Sequence, residues 1–218
     1  CKEASVKPLL GTEITVCGDA DDRAKGQMIL LCRNNNGLQH LGRLLTETYV
    51  RPRSSHGITV KRSELFAAAD DLIVVSGGID SDVAGLLRAG HPEQALELLM
   101  QYRSAFGDRY YLEISRTGRP GEGEYEAGAL DLAEQTGTPL VASNVVRFLR
   151  ADDFEAHEIR VCIHEGRVID DPRRPRRFTD QQYLRDGAEM TELFSDLPSA
   201  LENSIQIARR CNVFLDFE

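Results

Sequence analysis

The chain has 218 residues, 41% hydrophobic and 28% charged, with a formal net charge of -9 at pH 7 and an isoelectric point near 5.1. Its length and apolar content suit one large α/β domain or two small ones that fold without staples. Its acidity argues against a surface that tracks phosphates broadly, so any nucleic-acid contact is expected to be local or indirect.

Five cysteines, Cys1, Cys17, Cys32, Cys162 and Cys211, are odd in number, scattered and free of CxxC spacing. That is the usage of reduced thiols in a cytosolic protein, not of a structural zinc site. No apolar run approaches the roughly 18 residues that span a bilayer, and no leader pattern opens the chain, so a soluble cytoplasmic protein without membrane contact is expected. The opening "CKEASVKPLLGTEITV" holds no Met and enters a strand abruptly, which reads as the middle of a longer polypeptide.

In chain order, "TEITV", "QMILLC", "LIVVSGG", "YYLEIS" and "PLVAS" are short apolar runs rich in β-branched residues and predict about five strands. Helical stretches lie among them. "GLQHLGRLLTETYV" places Leu38, Leu41, Leu45 and Val50 near one face, and "SDVAGLLRAG" ends on a Gly suited to a C-cap. "HPEQALELLMQYRSAF" has Pro92 in its first turn, then Glu93, with Leu96, Leu99 and Met100 as an apolar stripe. "EGEYEAGALDLAEQTG" repeats the scheme and closes on Gly137. This alternation predicts a mainly parallel sheet, open or closed into a barrel. Beyond residue 166, "RVIDDPRRPRRFTDQQYLRDGAEM" is polar and rich in Pro and Arg, and reads as a long ordered connection or an extension docked on the domain. "TELFSD" and "LPSALENSIQIARRCNVF" predict two short helices, the second with Pro198 near its first turn and Leu201, Ile205 and Ala208 on its packing face.

Residues 139–166, "PLVASNVVRFLRADDFEAHEIRVCIHEG", run from a strand into a polar tip, where many α/β enzymes place metal ligands. His157 and His164 are seven apart, about 10 Å of helix, too far to share one ion, so packing or surface roles are expected. In "VVSGGIDSD", Ser76, Gly77 and Gly78 offer backbone N–H groups to a phosphate but lack the Walker Lys and GxGxxG spacing. A strand-to-helix turn capped by Asp80 or Ser81 is the favoured reading. No GxSxG elbow occurs. "PRRPRR" gathers Arg173, Arg174, Arg176 and Arg177 just after Asp170 and Asp171, without aromatic stacking platforms. Internal ion pairing or docking to a neighbouring domain ranks above nucleic-acid contact. Glu13, at a strand start, points either into a barrel end or to solvent from an edge strand, and periodicity alone does not decide.

The stretches "GTEITV", "QMILLCRNNNGLQHLGRLLTETYVRP", "YYLEISRTGRPGEGEY", "VASNVVRFLRADDFEAHEIRVCIHEGRVIDDPRRPR" and "LPSALENSIQIARRCNV" resemble, in this order, the N-terminal PHP (polymerase and histidinol phosphatase) domain of the proteobacterial type of replicative DNA polymerase III alpha subunit. The resemblance covers essentially the whole chain. It implies an α/β fold, a distorted (β/α)7 barrel of the PHP type that lacks its first strands and a His-x-His motif here, over residues 1–166. Residues 167–218 would form an extended segment and C-terminal helices leading toward the polymerase core.

Metal-binding members of the family use a trinuclear cluster of His, Asp and Glu at the barrel mouth. By resemblance, Glu13 matches the bridging Glu of a Gly-x-Glu motif, as a vestigial and unoccupied ligand. Gln27 and Thr117 stand where the family has His, or His or Cys, and Val145 and Arg147 replace the Asp and His of an Asn-Asp-x-His motif. Val145 has no donor atom, Arg147 is a fixed cation, and Gln27 and Thr117 are poor substitutes for imidazole. No cofactor and no catalytic residue are therefore expected in this chain, and the Mg²⁺ of the parent polymerase would be held by carboxylates downstream. Arg147 is expected to pair with Glu13 or another carboxylate of the old site.

The implied role is to brace the polymerase and dock the proofreading exonuclease subunit, with other holoenzyme subunits and DNA reached through the parent chain. Arg173, Arg174, Arg176 and Arg177 are candidate interdomain contacts. The competing readings are a residual metal-dependent phosphoesterase or pyrophosphatase, an intrinsic proofreading nuclease, and a free-standing phosphatase.

Overall fold

The structure, a computed structural model, describes residues 4–19, 25–51 and 57–215. Six strands form one sheet: β1 (Gly11–Cys17), β2 (Lys25–Cys32), β3 (Val60–Lys61), β4 (Leu72–Val75), β5 (Tyr110–Ser115) and β6 (Leu140–Ser143), in the order β3-β1-β2-β4-β5-β6. All five expected strands are present, and β3, only two residues long, is additional. The ends of the sheet do not meet, so the expected distorted barrel is an open one among the described residues.

The parallel expectation needs correction. β1 pairs with β3, β4 with β5, and β5 with β6 in parallel, but β1–β2 and β2–β4 are antiparallel. The physical reason lies in the short link between β1 and β2, which is too brief for a crossover helix and permits only a hairpin-like return.

Period-2 alternation divides the sheet into two faces. In β2, Gly26, Met28, Leu30 and Cys32 are buried while Lys25, Gln27, Ile29 and Leu31 are half-buried. Met28 and Leu30 join Ile14, Val16, Val74, Tyr110 and Leu112 in the main core. The helices α1 (Asn35–Val50), α2 (Arg62–Ala67), α3 (Asp82–Arg88), α4 (Pro92–Phe106) and α5 (Glu122–Thr136) supply apolar side chains to that core or its neighbour. The register aligns Glu13 with Ile29, Ile29 with Val75, Val75 with Tyr111 and Glu113 with Val141, so these side chains share the opposite face. On that face Ile73, Val75, Tyr111 and Val141 pack against Ile207 and Cys211 of the C-terminal helix region.

Local signals explain the helix ends. Ser81 caps α3 by accepting from the Ala84 N–H at 3.0 Å, and Gly26 lets α3 approach β2 so closely that a Cβ there would lie 2.0 Å from the Asp82 nitrogen. Pro92 and Pro198 occupy first turns, and Gly137 closes α5 in the left-handed region. Three expected packing residues are exposed: Val50, Met100 and Ile205. Val50 overhangs the last turn of α1, while the buried faces of α4 and of α8 (Pro198–Arg210) are rotated to Ala95, Leu98, Leu99 and Tyr102, and to Ala200 and Ile207.

After α6 (Phe154–Glu165), residues 167–186 form the expected ordered connection, a strap laid on the domain before α7 (Gly187–Leu193) and α8. Its Tyr183 bridges Phe148, and the Leu184 N–H donates to the Phe148 carbonyl at 3.1 Å. Phe194 and Ala200 enter the same apolar cluster as Ile79, Ile114 and Ala142, which ties the C-terminal helices to the sheet.

Candidate functional site at the sheet mouth

The strand ends on the face opposite the main core open into a cavity of about 170 Å³. Four of the residues expected at the site line it: Glu13, Gln27, Val145 and Arg147. Thr117 does not. Its hydroxyl donates to Glu122 at 2.6 Å and its N–H donates to the other Glu122 oxygen at 2.7 Å, so it serves the loop that leads into α5. The Glu122 carboxylate also accepts from Ser115 at 3.1 Å and from the Arg119 N–H at 3.2 Å, where the partial positive charge of a helix N-terminus favours an anion.

Three further charged residues line the cavity: Asp80, which the sequence offered only as a helix cap, and Glu113 and Arg119, which it did not single out. Asp80 lies in a short 3-10 turn, Gly78–Asp80, that follows β4. Both Asp80 oxygens accept from the Arg119 guanidinium, at 2.7 and 2.8 Å, a bidentate pair that holds Arg119 firmly charged. Glu113 is only 5% exposed. Burial pushes its carboxyl up from the usual range; Ser143 and Arg119 work against that, whereas Glu13 and Asp80 add to it. A charged residue inside the otherwise apolar "YYLEIS" was the available signal, because a polar group within a buried strand is informative where an exposed one is not.

The expected pairing of Arg147 is not found. Arg147 takes part in no ion pair among the described residues, and its guanidinium carbon lies 5.7 Å from the centroid of the Phe178 ring. The backbone explains this, since the Arg147 N–H donates to Gln182 of the strap at 2.8 Å and the exposed side chain lies toward Phe178. The cation paired within the mouth is Arg119.

The tip loop is clamped from below. The Asn144 amide donates to the Gln181 and Tyr183 carbonyls at 3.1 and 2.6 Å, and Gln182 donates to the Val145 carbonyl at 3.2 Å. Val145 is held at φ 44°, a left-handed conformation that a β-branched residue rarely adopts. His157 packs between the rings of Phe148 and Phe178, at 5.4 and 4.7 Å, and burial lowers its pKa. His164 is exposed near the end of α6. The two histidines therefore do not cooperate.

Of the four candidate interdomain arginines, Arg174 follows the internal-pairing alternative and not the interdomain one: it is buried and paired with the buried Glu158 of α6. Its side chain is drawn inward by the one carboxylate that α6 buries against the domain. Arg173 pairs with Asp171 and Arg177 with Glu165, both from exposed positions. Arg176 is exposed and takes part in no ion pair among the described residues.

This donor set does not fit a metal cluster. Among the described residues no group of three or more His, Cys, Asp or Glu is placed to hold an ion. Gln27 lies within 3.3–3.4 Å of the Thr15 hydroxyl, Val145 offers only its backbone, and Asp80 is already saturated by a guanidinium.

Comparison with known proteins places the chain in a family. The model of the PHP domain family matches residues 1–117. The chain is 43% identical over 210 residues to the DNA polymerase III subunit alpha of Escherichia coli (strain K12), covering 96% of this chain and 18% of that protein. It is similar to the same subunit of Vibrio cholerae, 43% identical over 95% of this chain, and of Pseudomonas fluorescens, 40% identical over 96%, again spanning 18% of each protein. The chain belongs to the PHP domain family, in the form carried by the DNA polymerase III alpha subunits of proteobacteria.

Proposed function

We propose that this chain is the PHP portion of a cytoplasmic replicative DNA polymerase, and that its barrel braces the polymerase and docks the proofreading exonuclease subunit without chemistry of its own. Nucleotidyl transfer and its Mg²⁺ belong to other parts of the parent chain in this reading, and DNA and the remaining holoenzyme subunits are reached through that chain. Residues 1–166 act as the barrel and 167–218 as the strap and helices that lead toward the polymerase core.

The observation that carries the proposal is the chemistry of the mouth. Its carboxylates face a guanidinium, an amide and a valine, where activation of water would need several ligands around an ion. A barrel of this kind is useful as a surface: docking raises the local concentration of an exonuclease near the primer end without a second active site. Hydrogen-exchange footprinting of the full-length alpha subunit with and without the exonuclease tests this. Protection within residues 4–215 of this chain is expected; protection confined to other parts of the polypeptide would contradict it.

A further inference from the structure

Three carboxylates around one cavity repel one another, and Glu113 is buried there with Ser143 as the neutral group beside its carboxyl. Arg119 reaches the cavity from the loop between β5 and α5. That loop is fixed by Glu122, whose carboxylate accepts from the backbone N–H groups of Thr117 and Arg119 and from the Ser115 and Thr117 hydroxyls. The Arg119 side chain is only 16% exposed and is held by two bonds to Asp80.

We propose that Arg119 is the built-in counter-cation of the mouth, the fixed positive charge that allows Glu13, Asp80 and Glu113 to share one cavity without a bound ion. The inference rests on the reading of the mouth as metal-free, and it assigns a positioning role to a residue outside the family-derived ligand positions.

The consequence is a pH dependence of defined sign. The groups facing Glu113 are Glu13 from β1, Asp80 from the turn after β4, Arg119 before α5, Ser143 from β6 and Tyr125 from α5, with Arg147 across the cavity and Glu122 behind Arg119. Because the folded state raises the Glu113 pKa, stability from this group is fully present below the ordinary carboxylate value and is lost as pH rises through the raised one. Removing Arg119, which opposes that rise, deepens the loss on the alkaline side.

The test uses the full-length alpha subunit carrying R119Q, R119K or E113Q/R119Q, with hydrogen-exchange protection of peptides spanning 72–82 and 110–122 measured at pH 5 and pH 8. R119Q is expected to reduce protection at pH 8 by at least about tenfold more than at pH 5, R119K to keep most of the wild-type profile, and E113Q/R119Q to recover protection and flatten the dependence. If R119Q does not fold, E113Q/R119Q still should. Equal losses at both pH values, no recovery in the double variant, or failure of both variants to fold would overturn the proposal. Metal content of the wild-type subunit is measured separately, so bound ions would sink the underlying reading while the variant profile judges Arg119 itself.

Discussion

Val145 carries a cost that its neighbours enforce. Its φ of 44° is imposed by Asn144 and Gln182, which bind the loop to the strap on either side, and a β-branched side chain is strained in that conformation. Asn tolerates the left-handed region far better. Val145→Asn is therefore expected to stabilise the protein by about 1 kcal/mol, seen as a higher urea midpoint with an unchanged slope; a lower midpoint would show that Val146 and its surroundings need the valine methyls. At this scale the sequence was only partly legible. Glu13, Gln27, Val145 and Arg147 do meet at one cavity, because the resemblance aligned strand ends that the sheet register brings together. Thr117 was misplaced because the Glu122 carboxylate turns it back toward α5, a local hydrogen-bond choice that no periodicity records. Arg119 was hidden for the same reason, since its direction is set by a loop and not by a repeat.

The strap and α6 show how an element can be held by one buried pair. Glu158 and Arg174 have side chains only 6% and 5% exposed, and among the described residues each leaves an atom without a hydrogen-bond partner, Oε1 of Glu158 and Nε of Arg174. Removing one partner strands the other charge in a poorly solvated place, which costs far more than an exposed pair contributes. Arg174→Met is expected to lower the melting temperature by about 10 °C, and Arg173→Ala, which removes an exposed pair with Asp171, to change it by less than about 2 °C. Equal effects of the two substitutions in thermal denaturation would show that the strap is not anchored through Arg174. "PRRPRR" announced an arginine cluster, yet which arginine turned inward depended on where α6 buried its Glu158. The helices themselves were readable because caps and first-turn prolines act locally: Ser81, Pro92, Pro198, Gly137. Their buried faces were less so, and Val50, Met100 and Ile205 show that an apolar residue at helical spacing still faces water when the neighbouring element does not reach it.

For the whole molecule, the open sheet has one face committed to packing helices and the other divided between a small apolar cluster under α8 and the charged mouth. Five strands could be read from β-branched runs, whereas their directions depended on connection length, and the short β1–β2 link made two of the pairings antiparallel. Much of the charge of the mouth is offset internally: Arg119 answers Asp80, burial favours the protonated form of Glu113, Gln27 and Val145 supply no charge, and Glu13 is the one carboxylate left over. Such a site has little affinity left for a divalent ion. The most direct test is metal content by plasma mass spectrometry on the full-length alpha subunit, purified without chelator and dialysed against Mn²⁺, Zn²⁺ and Mg²⁺, with the peptide region of this chain's mouth monitored for protection. The account predicts no ion bound at the mouth and no change in protection there with any of the three metals; two or three tightly held ions that protect residues 11–17 and 110–122 would contradict it.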